Sequence, residues 1–533
     1  MSNDLMPILL NATLFAPLVG IIFILLMKKN VAKVTALGFS LIPLFLSALA
    51  IYFYAGNPQS GAYGSDFVLF SSSPWFNLNT LDIKYMIGID GVSTFMILLT
   101  SLIFPILVWY SWGKVEKQEK TYYLMLLLLE TGILGFFLSL DLMMFYVFFE
   151  MVLIPTTFFI GIWGGKEREF ASMKFFLYTL VGSLLMLVGI IYLGLNVKEG
   201  VLTTDYFAIR DALASGAISS EVQTWLFLAF TVSFAIKVPL FPLHTWQAVT
   251  YSESSTTGSV ILAALLSKMG AFGFIRFVLP FFPEASMKFA PVISVLAVIS
   301  IVYGAYMAIA QTDLKRLIAF ASMSHLGFIV LGIFSMTPEA LSGAVYQMVA
   351  HGVSTAALFL IAGLLFERYE SRKIADFQGI AKQAPKFTLV FMVAVLATVG
   401  LPGLSGFIGE LMILLGSFSS SAVSSTFAVI AAISVVLTAV YLLNMFRKTM
   451  FGETNENVTK HVFDLTASES WMMAPLVILM FVMGFFAQPF LNTINKGTDR
   501  VINLVDTRTQ NVQLSNVEPV KLETPSETEA VYQ

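Results

Sequence analysis

Seven ionisable side chains lie inside long apolar stretches of this sequence, where a charge has little access to water. They are Glu130, Glu150, Lys237, Lys268, His325, His351 and Glu410. Such a group near the centre of a membrane helix costs about 2.5 to 3.5 kcal/mol on insertion scales. Pairing between helices could explain any one of them. A set spread over many helices instead indicates a polar axis.

Two of these groups stand beside stretches that interrupt a helix. Lys237 precedes two prolines in FAIKVPLFPLH, and Glu410 follows the run VGLPGLSGFIG. Proline removes an amide donor, glycine weakens a helix, and irregular backbone at membrane depth is tolerated only against protein or a wet cavity. A pair of interrupted spans at matching places in two halves is typical of a transporter's ion site.

The ionisable groups divide between the two halves of the chain. The first half holds Glu150, Lys237 and Lys268, and the second holds His325, His351 and Glu410. A carboxylate close to a lysine favours the charged form of both, while desolvation opposes the charge. Such a lysine can release its proton when its partner moves away. Histidine exchanges protons near neutral pH, so the pattern predicts a proton relay through these residues.

The composition is that of a polytopic membrane protein. The 533 residues are 57% hydrophobic and 12% charged, against about 25% charged in a soluble domain. Cysteine is absent, which excludes disulfides and cysteine-ligated iron–sulfur clusters. Basic residues are few and scattered, which argues against nucleic-acid binding. The N-terminus lacks the basic region and cleavage site of a secretory signal, so we expect a retained first span.

A membrane helix needs about 20 mostly apolar residues, and this template predicts an all-α fold of about fourteen spans. One or two spans could instead be amphipathic or buried core helices. The predicted spans are 8–27, 34–54, 88–111, 121–140, 142–162, 172–195, 222–241, 256–280, 289–311, 316–335, 340–366, 387–416, 424–446 and 471–494.

The interruptions fall in spans seven and twelve, five helices apart. This spacing predicts two five-helix repeats of inverted topology, spans 4–8 and 9–13. We therefore expect a single transmembrane domain over 1–494, with repeats near 121–280 and 289–446. A polar, loosely packed tail is expected over 495–533.

Alternate loops differ in their content of basic residues. One set is rich in Lys and Arg, including Lys114, Lys117, Arg368 and Arg372, and the opposite set holds only Lys84, Lys198, Arg210, Arg276 and Lys288. Because cytoplasmic loops carry the excess of Lys and Arg, both termini are predicted to lie outside, in the periplasm of a bacterium.

Three further polar residues have simpler interpretations. Asp90 and Asp141 are expected to cap the starts of helices, and His244 is expected to lie at the membrane interface.

Four motifs together resemble the antiporter-like membrane subunits of respiratory complex I. They are LSLDLMMFYVFFEMVLIPTTFFIGIWGG, FAIKVPLFPLHTW, TDLKRLIAFASMSHLGFI and GLPGLSGFIGELMILLGSF, in the family's order. The resemblance covers roughly spans three to fourteen. Glu410 stands where chains L and N of this family usually carry lysine, and no long lateral helix follows the last span. These two features distinguish the chain from chains L and N and match the antiporter-like subunit that lies between those two chains in the membrane arm.

The resemblance assigns roles to the buried groups. Glu150 and Lys237 would form the coupled carboxylate–lysine pair of the first half-channel. Lys268 and His325 would form the central relay, with His351 assisting. Glu410 would be the terminal group of the second half-channel.

One stretch departs from the family pattern. After HTW the family usually reads Leu-Pro-Asp-Ala-His, whereas this chain reads QAVTY, so Val249 and Tyr251 replace the Asp and the His. The role of this segment in proton uptake is therefore open.

The resemblance also implies partners and a place in the cell. We expect a proton-translocating subunit of an inner-membrane NADH:quinone oxidoreductase, flanked by chains L and N, with no cofactor in this chain. No strand–GxGxxG–helix unit is present in the sequence, so electron transfer belongs to other subunits. The alternatives are a subunit of a multisubunit sodium/proton antiporter, a membrane-bound hydrogenase subunit, and a scaffold whose buried charges only hold helices together.

Overall fold

The structure, a computed structural model, describes residues 5–56, 67, 69–78, 80–454 and 464–515. Within these ranges the chain is mostly helical. The helices are α1 Leu5–Leu26, α2 Ala32–Gly56, α3 Thr94–Tyr110, α4 Glu119–Leu138, α5 Leu142–Met151, α6 Leu153–Gly161, α7 Arg168–Val197, α8 Tyr206–Ala214, α9 Ser220–Lys237, α10 Gln247–Glu253, α11 Thr256–Phe281, α12 Pro283–Ile309, α13 Leu314–Phe334, α14 Pro338–Tyr369, α15 Pro385–Val399, α16 Ser405–Phe418, α17 Ser425–Met450, α18 Ala467–Phe485 and α19 Ala487–Ser515.

Eleven helical stretches within the described ranges are long and apolar enough to cross a membrane, with α5 and α6 together counting as one. Three further apolar helices, α3, α15 and α16, are shorter. The most hydrophobic segments of α11 and α13 are completely buried by neighbouring helices. These two helices and α14 form the centre of the bundle, and α7 and α17 lie at its edge with many exposed apolar side chains.

The mostly helical fold also contains a small sheet, which was not predicted from the sequence. Strands β1 Leu69–Leu78 and β2 Leu81–Ile89 pair antiparallel, and β3 Leu202–Thr203 adds to β2 in parallel. Met86, Ile87 and Ile89 of β2 are buried. The hairpin lies in the connection between α2 and α3. A search for long apolar helices passes over this segment because short strands lack such a run.

Both predicted interruptions are present as ends of helices. Helix α9 ends at Lys237 and α10 begins at Gln247, while α15 ends at Val399 and α16 begins at Ser405. Two irregularities were not predicted. The span over 142–161 is divided at Val152, and α11 contains π-helical turns at Leu262–Leu266 and Phe274–Val278.

Arg276 was assigned to a loop from the sequence, but it lies within α11 and is buried. Its guanidinium makes two hydrogen bonds with Asp90, of 2.7 and 2.6 Å, and lies about midway between the rings of Phe67 and Phe272. Asp90 also accepts hydrogen bonds from the backbone amides of Val92 and Ser93. The N-cap of α3 is Ser93 rather than the expected Asp90, and Asp90 instead neutralises a buried arginine.

A second ionic cluster joins the loops on the Lys-rich side. Arg372 pairs with Glu253 at 2.9 Å and with Asp313 at 3.2 Å, and Glu253 also accepts a hydrogen bond from the Glu167 amide. Burial alone would raise the pKa of Glu253, but Arg372 and the Glu167 amide hold it below the ordinary value of 4.5. The cluster therefore contributes its stability above pH 4.5 and loses it as the pH falls through the lower folded pKa.

The C-terminal region differs from the expected span and loose tail. The predicted span 471–494 crosses a break at Phe486, and α19 continues through residue 495. Its inner face is apolar and buried: Ile494, Val501, Ile502 and Val505. Thr498 bonds Ser342 of α14, and Arg508 donates to the carbonyl oxygens of Pro280 and Arg210. The first part of the tail is thus packed against the bundle, and 516–533 lie outside the described residues.

Replacing Arg276 with glutamine should destabilise the protein by about 3 to 5 kcal/mol, because Asp90 would remain buried without a countercharge. Thermal unfolding of the purified protein measures this. The matched control is Lys29→Gln: Lys29 lies 3.8 Å from Glu119 with 58% of its side chain exposed, so its loss should cost about 1 kcal/mol or less. Equal unfolding temperatures for the two variants would contradict a structural role for the buried pair.

Candidate functional site

Lys237 lies at the C-terminal end of α9 with only 2% of its surface exposed. Its Nζ atom is 4.6 Å from the ring centroid of Phe149 and 5.9 Å from that of Phe175. An aromatic face attracts a cation electrostatically, so the two rings partly replace the water that a lysine loses on burial.

The break after Lys237 leaves backbone groups that side chains satisfy. The indole of Trp246 donates to the Ile236 carbonyl at 3.0 Å, and the Phe241 amide donates to Ser300 Oγ at 2.9 Å. Buried backbone groups need such partners inside a bilayer. The sequence FAIKVPLFPLHTW therefore carries both the interruption and the tryptophan that stabilises it.

Glu150 lies near Lys237 without forming a tight ion pair. It is the one carboxylate that acts electrostatically on Lys237, but no ion pair of 4.0 Å or less joins the two in the described structure. Glu150 is half-buried and lies two residues before the break at Val152. Glu150 and Lys237 are thus close enough to interact electrostatically without forming a direct ion pair.

Lys268 is fully buried in α11, directly after the first π turn. Its Nζ donates to the Ala263 carbonyl at 2.6 Å and lies 2.6 Å from Nδ1 of His351. An ammonium has only donors, so a charged Lys268 requires Nδ1 of His351 to be the acceptor. The His351 proton is then on Nε2.

His325 and Glu410 form the next contact. Nδ1 of His325 lies 2.7 Å from Oε1 of Glu410, and the Gln347 amide donates to the same oxygen at 3.1 Å. Both His325 and Glu410 are buried. An ionised Glu410 accepts from both, which places a proton on Nδ1 of His325.

The two contacts join in the middle of the bundle. The rings of His325 and His351 are 5.5 Å apart between centroids, and Nε2 of each has no hydrogen-bond partner among the described residues. Lys268, His351, His325 and Glu410 therefore form one row. His351, expected only to assist, lies between Lys268 and His325. Each imidazole can accept a proton at one nitrogen and release one from the other.

Glycines at the second break allow close packing beside Glu410. A Cβ on Gly409 would lie 2.6 Å from Oε1 of Gln347, and one on Gly406 would clash with the Ala397 carbonyl oxygen. Gly400 has a φ of +84°, which glycine adopts without strain. The run VGLPGLSGFIG thus brings α16 against α15 and α14 so that Glu410 reaches His325.

Glu130 stands apart from the row. It is fully buried in α4, and neither carboxylate oxygen has a hydrogen-bond partner within the described structure. The described residues also contain no group of three or more His, Cys, Asp or Glu that could hold a metal ion.

Sequence reasoning missed Gln347 and assigned Arg276 to a loop. Gln347 precedes His351 by four residues, which places both on one face of α14. Arg276 follows Lys268 by eight residues, two turns along α11. Helical spacing from the recognised groups could have identified both. No sequence signal indicated that Lys268 would contact His351 rather than His325.

Replacing Gly406 with alanine should destabilise the second break by about 1 to 3 kcal/mol, since the new methyl group meets a backbone oxygen that cannot move freely. Gly38→Ala is the matched control, because no heavy atom lies within 4 Å of a Cβ built at that position. Thermal unfolding compares the two. A Gly406→Ala variant as stable as Gly38→Ala would contradict the close packing.

Comparison with known proteins places the whole bundle in one family. Residues 139–438 match the family model described as NADH:quinone oxidoreductase/Mrp antiporter, TM. NADH-quinone oxidoreductase subunit M of Rickettsia prowazekii (strain Madrid E) is 36% identical over 499 residues, covering 93% of this chain and 98% of that protein. Subunit M of Rhodobacter capsulatus is 40% identical over 411 residues, covering 76% and 80%.

A solved structure gives the same result. A chain of respiratory complex I from Thermus thermophilus with bound NADH superposes with a TM-score of 0.81 at 32% identity. The match covers 93% of this chain and 99% of that one. The resemblance inferred from the four motifs is confirmed.

Proposed function

This chain belongs to the family of NADH:quinone oxidoreductase and Mrp antiporter membrane subunits, in the group of subunit M, and from that premise we propose that it moves protons across the membrane. In this proposal it is a membrane-arm subunit of a proton-pumping NADH:quinone oxidoreductase. Electron transfer occurs in other subunits, and this chain responds to it.

The row of Lys268, His351, His325 and Glu410 is the observation that carries the proposal. In the proposed transfer, Nζ of Lys268 gives a proton to Nδ1 of His351 while the Nε2 proton of that ring passes to Nε2 of His325. The Nδ1 proton of His325 then passes to Oε1 of Glu410. Each bond that forms replaces one that breaks, and both imidazoles end neutral with their tautomers exchanged.

Glu150 and Lys237 form the loading site of the first half in this proposal. Lys237 keeps its charge through Glu150 and the two aromatic faces, and it releases a proton when Glu150 moves away or is protonated. The lack of an ion pair of 4.0 Å or less between these two described side chains supports this role, because a fixed tight pair would hold the proton in place.

The proposed architecture has fourteen spans and two inverted repeats. The broken pairs α9–α10 and α15–α16, together with α3, supplement the eleven longer spans. Spans 4–8 and 9–13 would form the repeats, near 121–280 and 289–446, within one domain over 1–494. The equivalent position of the two breaks beside Lys237 and Glu410 supports this division.

The proposed setting is a bacterial inner membrane with both termini in the periplasm. The Lys- and Arg-rich loops then face the cytoplasm. Chains L and N of the oxidoreductase would be the neighbours in the membrane arm. We propose that no cofactor binds to this chain.

Glu410→Gln should lower proton pumping by about tenfold or more, because the amide keeps the size of the side chain but cannot take up the proton. The measurement is acidification of vesicles that contain the whole purified complex, with NADH oxidation followed in the same sample. Glu339→Gln is the control, since Glu339 is exposed in the first turn of α14. Pumping by Glu410→Gln at the control's rate would remove Glu410 from the path.

Two single-cysteine variants should be labelled from opposite sides of the membrane if the proposed topology holds. The chain has no native cysteine, so only the introduced cysteine of this subunit reacts. Thr507→Cys on α19 should react with an impermeant maleimide from the periplasm, and Lys117→Cys from the cytoplasm. Both native side chains are exposed. Labelling is read as a mass shift of this subunit in intact spheroplasts and in inverted vesicles. The opposite pattern would invert the proposed topology.

A further inference from the structure

Tyr251 is a fully buried residue of α10, shortly after the first broken helix. Its hydroxyl donates to the Leu262 carbonyl at 3.0 Å. Leu262 opens the π turn that leads to Lys268. The phenol thus reaches from the segment after the break to the helix that carries the central lysine.

The polar contacts of the phenol continue to Lys268. Ser267 is one of the side chains that interact with the Tyr251 hydroxyl. Ser267 Oγ also accepts from Nζ of Lys268 at 3.3 Å and donates to the Ala263 carbonyl at 2.9 Å. One serine hydroxyl therefore separates the phenol from the buried amine.

On its other side the phenol interacts with Gln247. The Gln247 amide nitrogen donates to the Ala319 carbonyl at 3.0 Å, but its oxygen is buried without a hydrogen-bond partner in the described structure. An unsatisfied buried acceptor costs about 1 to 3 kcal/mol. A water molecule or the rotated phenol hydroxyl would satisfy this oxygen.

Gln247 in turn lies next to the lysine break. It follows Trp246, whose indole donates to the Ile236 carbonyl, one residue before Lys237. The rings of Trp246 and Phe175 are 5.3 Å apart, and Phe175 also faces Lys237. The rings of Trp246 and Tyr251 are 6.1 Å apart, so ring contacts run from Lys237 through Phe175 and Trp246 to Tyr251.

We propose that the hydroxyls of Tyr251 and Ser267 connect Lys268 to the first half of the site, and that Tyr251 is a proton-relay residue specific to this chain. The inference rests on the proposed function. A proton from water at Gln247 passes to the phenol oxygen as the phenol's own proton moves to Ser267 Oγ. The Ser267 proton then passes to an uncharged Nζ of Lys268. Lys237 returns a proton to that water through further water molecules, so the net step carries one proton from Lys237 to Lys268 and leaves the water and both hydroxyls unchanged.

Tyr251→Phe removes the hydroxyl and keeps the ring, so we expect proton pumping by the whole complex to fall by about tenfold. Tyr346→Phe is the matched control: Tyr346 is equally buried, and its hydroxyl donates to the Met483 carbonyl outside the row. Tyr251→His should pump faster than Tyr251→Phe, because an imidazole both accepts and donates a proton. A purely structural tyrosine would give no such recovery.

The variants separate the two proposals. Wild-type pumping by Tyr251→Phe, with Lys268→Met inactive, would overturn the relay and leave the proposed function intact. Wild-type pumping by Lys268→Met would overturn the proposed function itself. If Tyr251→Phe fails to assemble, Ser267→Ala tests the same link from the other side, and full pumping by an assembled Ser267→Ala complex would also overturn the relay.

Discussion

The structure depends on one constraint: inside a membrane, only the protein can supply hydrogen bonds and countercharges. Lys237 lies at the end of its helix and Lys268 directly follows a π turn, while Glu150 and Glu410 lie within a few residues of a break. Backbone groups freed at two of these places are used. The Ala263 carbonyl of the π turn accepts from Lys268, and the Ile236 carbonyl at the break accepts from Trp246. A charge and a disturbed helix thus occur together because each supplies what the other lacks.

Helix α14 holds the two halves together. It carries Gln347 and His351 on one face, so it touches Glu410 and Lys268 at once. Small residues let its neighbours approach: a Cβ on Gly343 would lie 3.0 Å from the Gly409 carbonyl oxygen, and one on Gly352 would lie 3.1 Å from that of Ala264. The row of Lys268, His351, His325 and Glu410 is therefore held by close helix packing, and a shift of α14 by one turn would separate its members.

The sequence predicted the parts of the structure that follow from local rules. Apolar runs gave the long helices, and prolines and glycines gave the breaks beside Lys237 and Glu410. Three-dimensional contacts were not accessible in this way. The place of His351 between Lys268 and His325 depends on how α11, α13 and α14 cross. Arg276 was assigned to a loop because its partner Asp90 lies 186 residues away. Strands β1 and β2 were missed because they are stabilised by backbone hydrogen bonds to each other, which leave no long apolar run in the sequence.

The glutamate at position 410 has a consequence for the energetics of the row. With Lys268 protonated and Glu410 ionised, the row has opposite charges at its ends and no net charge. Moving one proton from the lysine to the glutamate leaves four uncharged groups. Desolvation favours the uncharged form and hydration favours the separated charges. Water at either end of the row would therefore favour the separated charges, and a dry bundle would favour the uncharged row.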